Sequence, residues 1–151
     1  MGDELATTNV NRTYSLGATS VAIFTFMLFF LYPRFAGGEI NAVLFQATLV
    51  VMGVATFSFV FASLYYYGSS LGSRIDEAKR TLYSRQGDRF WLLGYTLLFL
   101  VPSLILFTVG LLAVSSAWFA LWLTYLLFAI RSFPKVQTAP LTRRADKAPS
   151  T

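Results

Sequence analysis

The sequence predicts an all-α, polytopic integral membrane protein. It is read as a four-transmembrane-helix bundle with both termini cytoplasmic and a short amphipathic cytoplasmic helix between the second and third spans. Three observations predict this. Of the 151 residues, 56% are apolar and 13% charged, about half the charged share of a soluble domain, and mean hydropathy is +0.59. The charged residues enclose long uncharged runs: 21 residues between Arg12 and Arg34, 34 between Glu39 and Arg74, and 41 between Arg89 and Arg131. Lys and Arg fall almost entirely on one side of the membrane if those runs make four spans. Strands are rejected, because runs such as Val21 to Leu31 do not alternate apolar with polar as barrel strands must.

A bilayer core of about 30 Å needs about 20 apolar residues in helix. The first run therefore makes one span, 15–33, stopped at Tyr32-Pro33. The second makes one long span, 41–67, which starts after Ala36-Gly37-Gly38 and ends at Gly68-Ser69-Ser70. The third run is too long for one span, since 41 residues of helix would reach about 60 Å. It divides at Ala113-Val114-Ser115-Ser116 into spans 91–112 and 116–133, joined by a tight hairpin. Between the second and third spans, Ser73-Arg74-Ile75-Asp76 resembles a capping box, and Ile75, Ala78 and Leu82 share a face, so an amphipathic helix is predicted over 74–84. Residues 1–134 form the membrane domain, and 135–151, rich in Ala, Pro, Thr, Lys and Arg, form a flexible cytoplasmic tail.

Four spans put Arg12, the cluster Arg74, Lys79, Arg80, Arg85 and Arg89, and the group Arg131, Lys135, Arg143, Arg144 and Lys147 on one side. Only Arg34 lies on the other. The positive-inside rule makes the basic side cytoplasmic, in a plasma or inner membrane. Aromatic residues agree: Tyr65-Tyr66-Tyr67 and Phe90-Trp91 fall at the inner boundary, and Tyr32, Phe35 and Trp118 near the outer one. A leader holding Asp3 and Glu4 against one Arg argues that the first span is not a cleaved signal peptide.

The chain has no Cys and no His. Disulfide scaffolds, thiolate metal sites, imidazole catalysis and haem ligation are excluded with them, and no metal or cofactor is expected. Within the predicted spans the only charged residue is Arg131, at the basic end of the fourth, which removes proton relays, voltage sensors and intramembrane carboxylate proteases. Neither a phosphate-binding glycine loop nor a dinucleotide fingerprint is present. The sequence pI of 9.7 reflects topology, so no nucleic-acid partner is expected. No catalytic residue is identified.

What remains is neutral polarity. On the second span, Asn41, Thr48, Met52, Ala55, Thr56, Phe59, Ala62 and Ser63 share one face, and Gln46 and Gly53 a second. Asn41, Gln46, Thr48, Thr56 and Ser63 are the candidates for a polar path or for interhelical hydrogen bonds. Asn41 also suits a helix cap, and the small residues suit close packing. Gly17, Ala18, Ala22 and Thr25 form a small-residue patch on the first span. Pro102 is the candidate hinge of the third, with Ser103 or Thr96 available to the carbonyl that Pro102 frees at Leu98. Arg74, Lys79, Arg80, Arg85 and Arg89 are candidates for anionic lipid headgroups.

Three functions follow as expectations. The first is a small oligomeric channel or passive transport protein, with its path between copies along the second span. The second is a non-catalytic accessory or scaffold subunit of a larger membrane complex. The third is a carrier or enzyme that binds lipid headgroups at the inner interface. The expected partners are the lipid bilayer, further copies or another membrane protein, and anionic lipids.

Overall fold

A computed structural model of the chain describes residues 2–71 and 76–132. All of its elements are helices: α1 (Gly2–Phe30), α2 (Tyr32–Ala36), α3 (Ala42–Ser70), α4 (Glu77–Thr108) and α5 (Leu112–Ser132). Four of them, all but α2, are long and apolar enough to cross a membrane, which marks the chain as a membrane protein. Helix is the expected response to lipid, where only a helix or a closed barrel satisfies every backbone group internally.

Several boundaries differ from the sequence expectation, each for a physical reason. Helix α1 begins far before residue 15. Charge at Arg12 marks where water is reached, but nothing among residues 3–14 breaks a helix. The amphipathic helix expected over 74–84 is not separate. Residues from Glu77 onward run unbroken into the third span, and the 32 residues of α4 extend about 48 Å, well beyond a hydrocarbon core. Asp76 is its N-cap residue but makes no side-chain capping bond. Ser73, Arg74 and Ile75 lie outside the described residues, as does the tail 135–151.

The turn between α4 and α5 lies at 109–111, before the expected 113–116. Gly110 (φ 82°) ends α4: its N–H bonds Phe107 O at 3.1 Å and Leu111 N–H bonds Leu106 O at 2.9 Å. This is a Schellman closure, in which the residue after the cap must be left-handed. The same pattern recurs after α2, where Gly38 (φ 72°) and Glu39 bond Phe35 O and Arg34 O.

The helices pack in chain order and antiparallel. Helix α3 packs on α1 and most extensively on α4, and α5 packs on α4. Among the described residues α1 and α5 share no extensive contact. The arrangement is therefore a row more than a closed ring. A seven-residue repeat sets the seam. The buried residues of α3 include Phe45, Thr48, Met52, Ala55, Phe59, Ala62, Tyr66 and Ser69, alternately three and four apart. Helix α4 meets it with Gly87, Gly94, Val101 and Thr108, each seven apart, and α1 with Thr13, Ser20 and Met27. Such spacing keeps one stripe facing a neighbour along the whole helix. Much of the stripe is small, as close helix approach in lipid requires. A Cβ on Gly94 would lie 3.0 Å from Phe59 Cε1 and 3.1 Å from Ala55 O, and one on Gly87 2.8 Å from the Tyr66 ring. At the end carrying Arg34, Met27, Leu31, Phe45, Met52 and Val101 form the apolar core.

Candidate functional site

The structure divides the five polar candidates of α3. Asn41 is exposed and caps the helix, its Oδ1 accepting from Leu44 N–H at 3.0 Å. Gln46 is exposed. If Tyr65, Tyr66 and Tyr67 mark one hydrocarbon boundary, about 20 residues of helix put Gln46 at the other. On that reckoning its amide lies near the interface. Thr48 is fully buried in the seam and donates to Leu44 O at 2.7 Å. Only Thr56 and Ser63 come together. They line a groove of about 250 Å³ between α1 and α3, with Thr13, Gly17, Ala18 and Val60 among its other walls.

The hydroxyls of the spans are largely used within their own helices. Thr13 donates to Asn9 O, Ser20 to Leu16 O, Thr56 to Met52 O, Ser58 to Val54 O and Thr108 to Leu104 O, at 2.7 to 2.9 Å. Among the described residues no buried side-chain nitrogen or oxygen lacks a partner. A hydroxyl bonded to the carbonyl four residues earlier hides its polarity from lipid and presents little to a solute. Ala18 and Ala22, the expected close-packing pair on α1, are exposed; Gly17 approaches α3, with an added Cβ 3.9 Å from Phe59 Cβ, and Ala18 lines the groove beside it.

Helices α4 and α5 are joined by polar bonds that link two chains of atoms across the interface. Ser103 Oγ donates to Ser115 O at 3.0 Å, and Ser115 Oγ donates to Ser103 O at 2.7 Å. Trp122 Nε1 donates to Thr96 O at 2.8 Å. These bonds bracket Pro102, which lies inside the continuous α4. Ser103 is thus engaged with α5 and not with the carbonyl of its own helix, and the segment expected to hinge is braced on both sides.

The end carrying Arg12 and Arg89, here the basic end, holds a second cluster. Tyr66 Oη donates to Asp88 Oδ1 at 2.7 Å, so Asp88 is a partner for α3 and not a free surface carboxylate. Arg12 stands 5.2 Å over the Trp91 ring, a cation–π contact between α1 and α4. On the opposite flank of the α3–α4 seam, Tyr65 stacks on Phe90 at 5.5 Å and lies 6.1 Å from Tyr83, and Phe61 lies 5.5 Å from Phe90. The headgroup candidates are not gathered. At about 100° per residue, Lys79 shares the Tyr83 side of α4, Arg80 continues the Gly87 stripe toward α3, and Arg85 and Arg89 lie on the far side; Arg74 is outside the described residues.

Sequence reasoning missed the Tyr66–Asp88 bond, the Arg12–Trp91 contact and the serine pair. Each joins residues whose proximity depends on helix register. Among the described residues no three His, Cys, Asp or Glu side chains gather as a metal site. No protein family, no curated protein and no solved structure matches the chain.

Proposed function

We propose that the chain is a non-catalytic accessory or scaffold subunit of a larger membrane complex, acting through its membrane-facing and basic-end surfaces. Its basic end faces the cytoplasm of a plasma or inner membrane, with both termini on that side, and its partners are lipid and either further copies or another membrane protein. One observation carries this reading: most hydroxyls of the spans bond their own helices, and Ser103 and Ser115 clasp α4 to α5. Polarity in the spans therefore serves packing.

The test is extraction from the native membrane in mild detergent, followed by mass measurement and by flux assays on the purified chain in liposomes. A fixed-stoichiometry complex with a different membrane protein, together with no flux from the chain alone, is expected. A chain that conducts ions or small solutes by itself overturns the reading.

The groove between α1 and α3 favours a second reading, a small oligomeric channel or passive transport protein. Thr56 and Ser63 line that groove with Thr13, and further copies packed against it would enclose a path. Flux that changes with Thr56→Val or Ser63→Ala distinguishes it from the first.

A further inference from the structure

Among the described residues, every buried Ser and Thr side chain except Ser63 donates a hydrogen bond. Ser63 is 4% exposed, and its hydroxyl has no partner among those residues. Every fully enclosed side-chain oxygen has one, so the Ser63 oxygen opens on the groove that it lines between α1 and α3. A hydroxyl has one proton to give, and withholding it away from water is costly. The occupant of this groove therefore carries a hydrogen-bond acceptor at the level of Ser63.

Depth identifies the acceptor. Ser63 precedes Tyr66 by three residues, which puts it about 4.5 Å inside the tyrosine boundary. Thr13, next to Arg12, lines the same end of the groove, and Val21 and Thr56 line the other. Thr56 is ten residues from Tyr66, about 15 Å along the helix. That is half of a hydrocarbon core of about 30 Å. The groove thus covers one leaflet, from its boundary to the midplane, as an acyl chain does. In a glycerolipid the acceptor at the top of that chain is its ester carbonyl, at the inner edge of the interfacial layer.

The section of the groove disfavours a helix. Tyr14, Val21, Val60 and Leu64 are exposed along its rim, whereas Thr13, Phe59 and Ser63 are buried at its floor. About 250 Å³ over the seven residues from Tyr14 to Val21, about 10 Å of helix, is a mean section of about 25 Å². An α-helix about 10 Å across has a section of about 80 Å². Another helix would rest on the rim without reaching Ser63, whereas a single hydrocarbon chain enters.

We propose that the groove seats one glycerolipid, with an acyl chain running from Ser63 toward Thr56 and the ester carbonyl of that chain accepting from the Ser63 hydroxyl. Selection is for the ester linkage and not for headgroup charge. The proposal does not rest on the accessory-subunit reading, and lipid retention and solute flux are separate measurements.

The experiment is native mass spectrometry of the full chain in detergent with an equimolar mixture of diester and diether phosphatidylcholine. The two lipids share headgroup and chain length and differ in the carbonyls, which also separates them by mass. The diester lipid is expected to be retained about threefold better, the scale of one side-chain hydrogen bond in lipid. Ser63→Ala removes the preference and leaves both lipids at the diether level. Ser58→Ala deletes a hydroxyl as deeply buried but bonded to Val54 O, and it keeps the preference. Ala18→Phe, a larger side chain at an exposed position on the α1 wall, lowers retention of both lipids. Equal retention of the two lipids by the parent chain overturns the proposal. So does a preference that survives Ser63→Ala, or a dimer that Ala18→Phe dissociates, which would make a second copy the occupant.

Discussion

Replacing Gly94 with Ala tests the seven-residue seam most directly. The new methyl would lie 3.0 Å from Phe59 Cε1 and 3.1 Å from Ala55 O. Neither neighbour can yield easily: Phe59 is 1% exposed, and the Ala55 oxygen belongs to the backbone of α3. Helices α3 and α4 must then separate by a few tenths of an ångström along a seam that also holds Gly87 against Tyr66. Overpacking of a close-packed site costs about 1–3 kcal/mol. Ala in place of Gly returns up to about 1 kcal/mol of helix propensity, so the net expectation is a loss of about 1–2 kcal/mol.

Gly53→Ala is the matched control. It makes the same chemical change on α3, where nothing lies within 4 Å of the added methyl. It should leave stability unchanged or raise it by up to about 1 kcal/mol. The assay is reversible unfolding in mixed dodecylmaltoside and dodecyl sulfate micelles, with both variants measured beside the parent. Gly94→Ala as stable as the parent, or the two variants shifting together, would refute the seam, because the intrinsic helix term alone would then explain the data.

Ser103→Ala and Ser115→Ala each remove one hydroxyl-to-carbonyl bond between α4 and α5 together with the 3.3 Å contact between the two hydroxyls, so each should lower stability by at least about 0.6 kcal/mol, the average for one interhelical hydrogen bond in lipid. Thr48→Val in the same assay should change little, because the lost hydroxyl bonded only Leu44 O within its own helix; a large loss there would mean that Thr48 serves another helix. Tyr66→Phe deletes the bond to Asp88 while keeping the ring that covers Gly87, and a loss of about 0.5–1.5 kcal/mol is expected. Because the natural chain has no Cys, single cysteines report sidedness cleanly. Glu39→Cys should react with a membrane-impermeant maleimide on intact cells, and Thr81→Cys only after permeabilisation; the reverse pattern would invert the proposed orientation.

The four spans were legible because charge is expensive in hydrocarbon, and the uncharged runs mark where it is absent. The helix ends were less legible, because water begins at a charge while a helix stops at a breaker. Arg12 and Arg89 mark the first, yet α1 and α4 continue past both. The α4–α5 turn shows the same distinction. Low hydropathy pointed to Ala113–Ser116, but the backbone turns where Gly110 can adopt φ 82°, and a glycine at that position was the readable signal. The heptad Gly87, Gly94, Val101, Thr108 was also present in the sequence. Its meaning required knowing that α3 carries the complementary 45/48/52/55/59/62/66/69 stripe. The small-residue expectation on α1 went to Ala18 and Ala22, whereas the tight glycines are on α4. Tyr66–Asp88 and Arg12–Trp91 join helices through register, and no local pattern announces them.

The placement of polarity bears on which surfaces remain for function. In lipid an unsatisfied polar group is costly, so a solute path requires hydroxyls or amides whose bonding capacity is left over. Thr48, Ser58 and Thr108 have no such role to offer, being buried between helices with their protons bonded within their own helices, and Ser103 and Ser115 hold each other. Asn41 is committed to a cap, and Gln46 is exposed. The clasp also explains why α5 can lie on α4 alone: apolar contact gives little preference for helix over lipid, and three interhelical donors supply it. Two grooves beside α3 are left unassigned by this packing, one with Thr56 and Ser63, the other with Tyr65 and Tyr83. They lie on neighbouring faces of the same helix and share Leu64, which lines both. A substitution at Leu64 should therefore disturb both grooves at once, whereas Val60 and Gly68 separate them, and that pair of positions decides which groove a given phenotype belongs to.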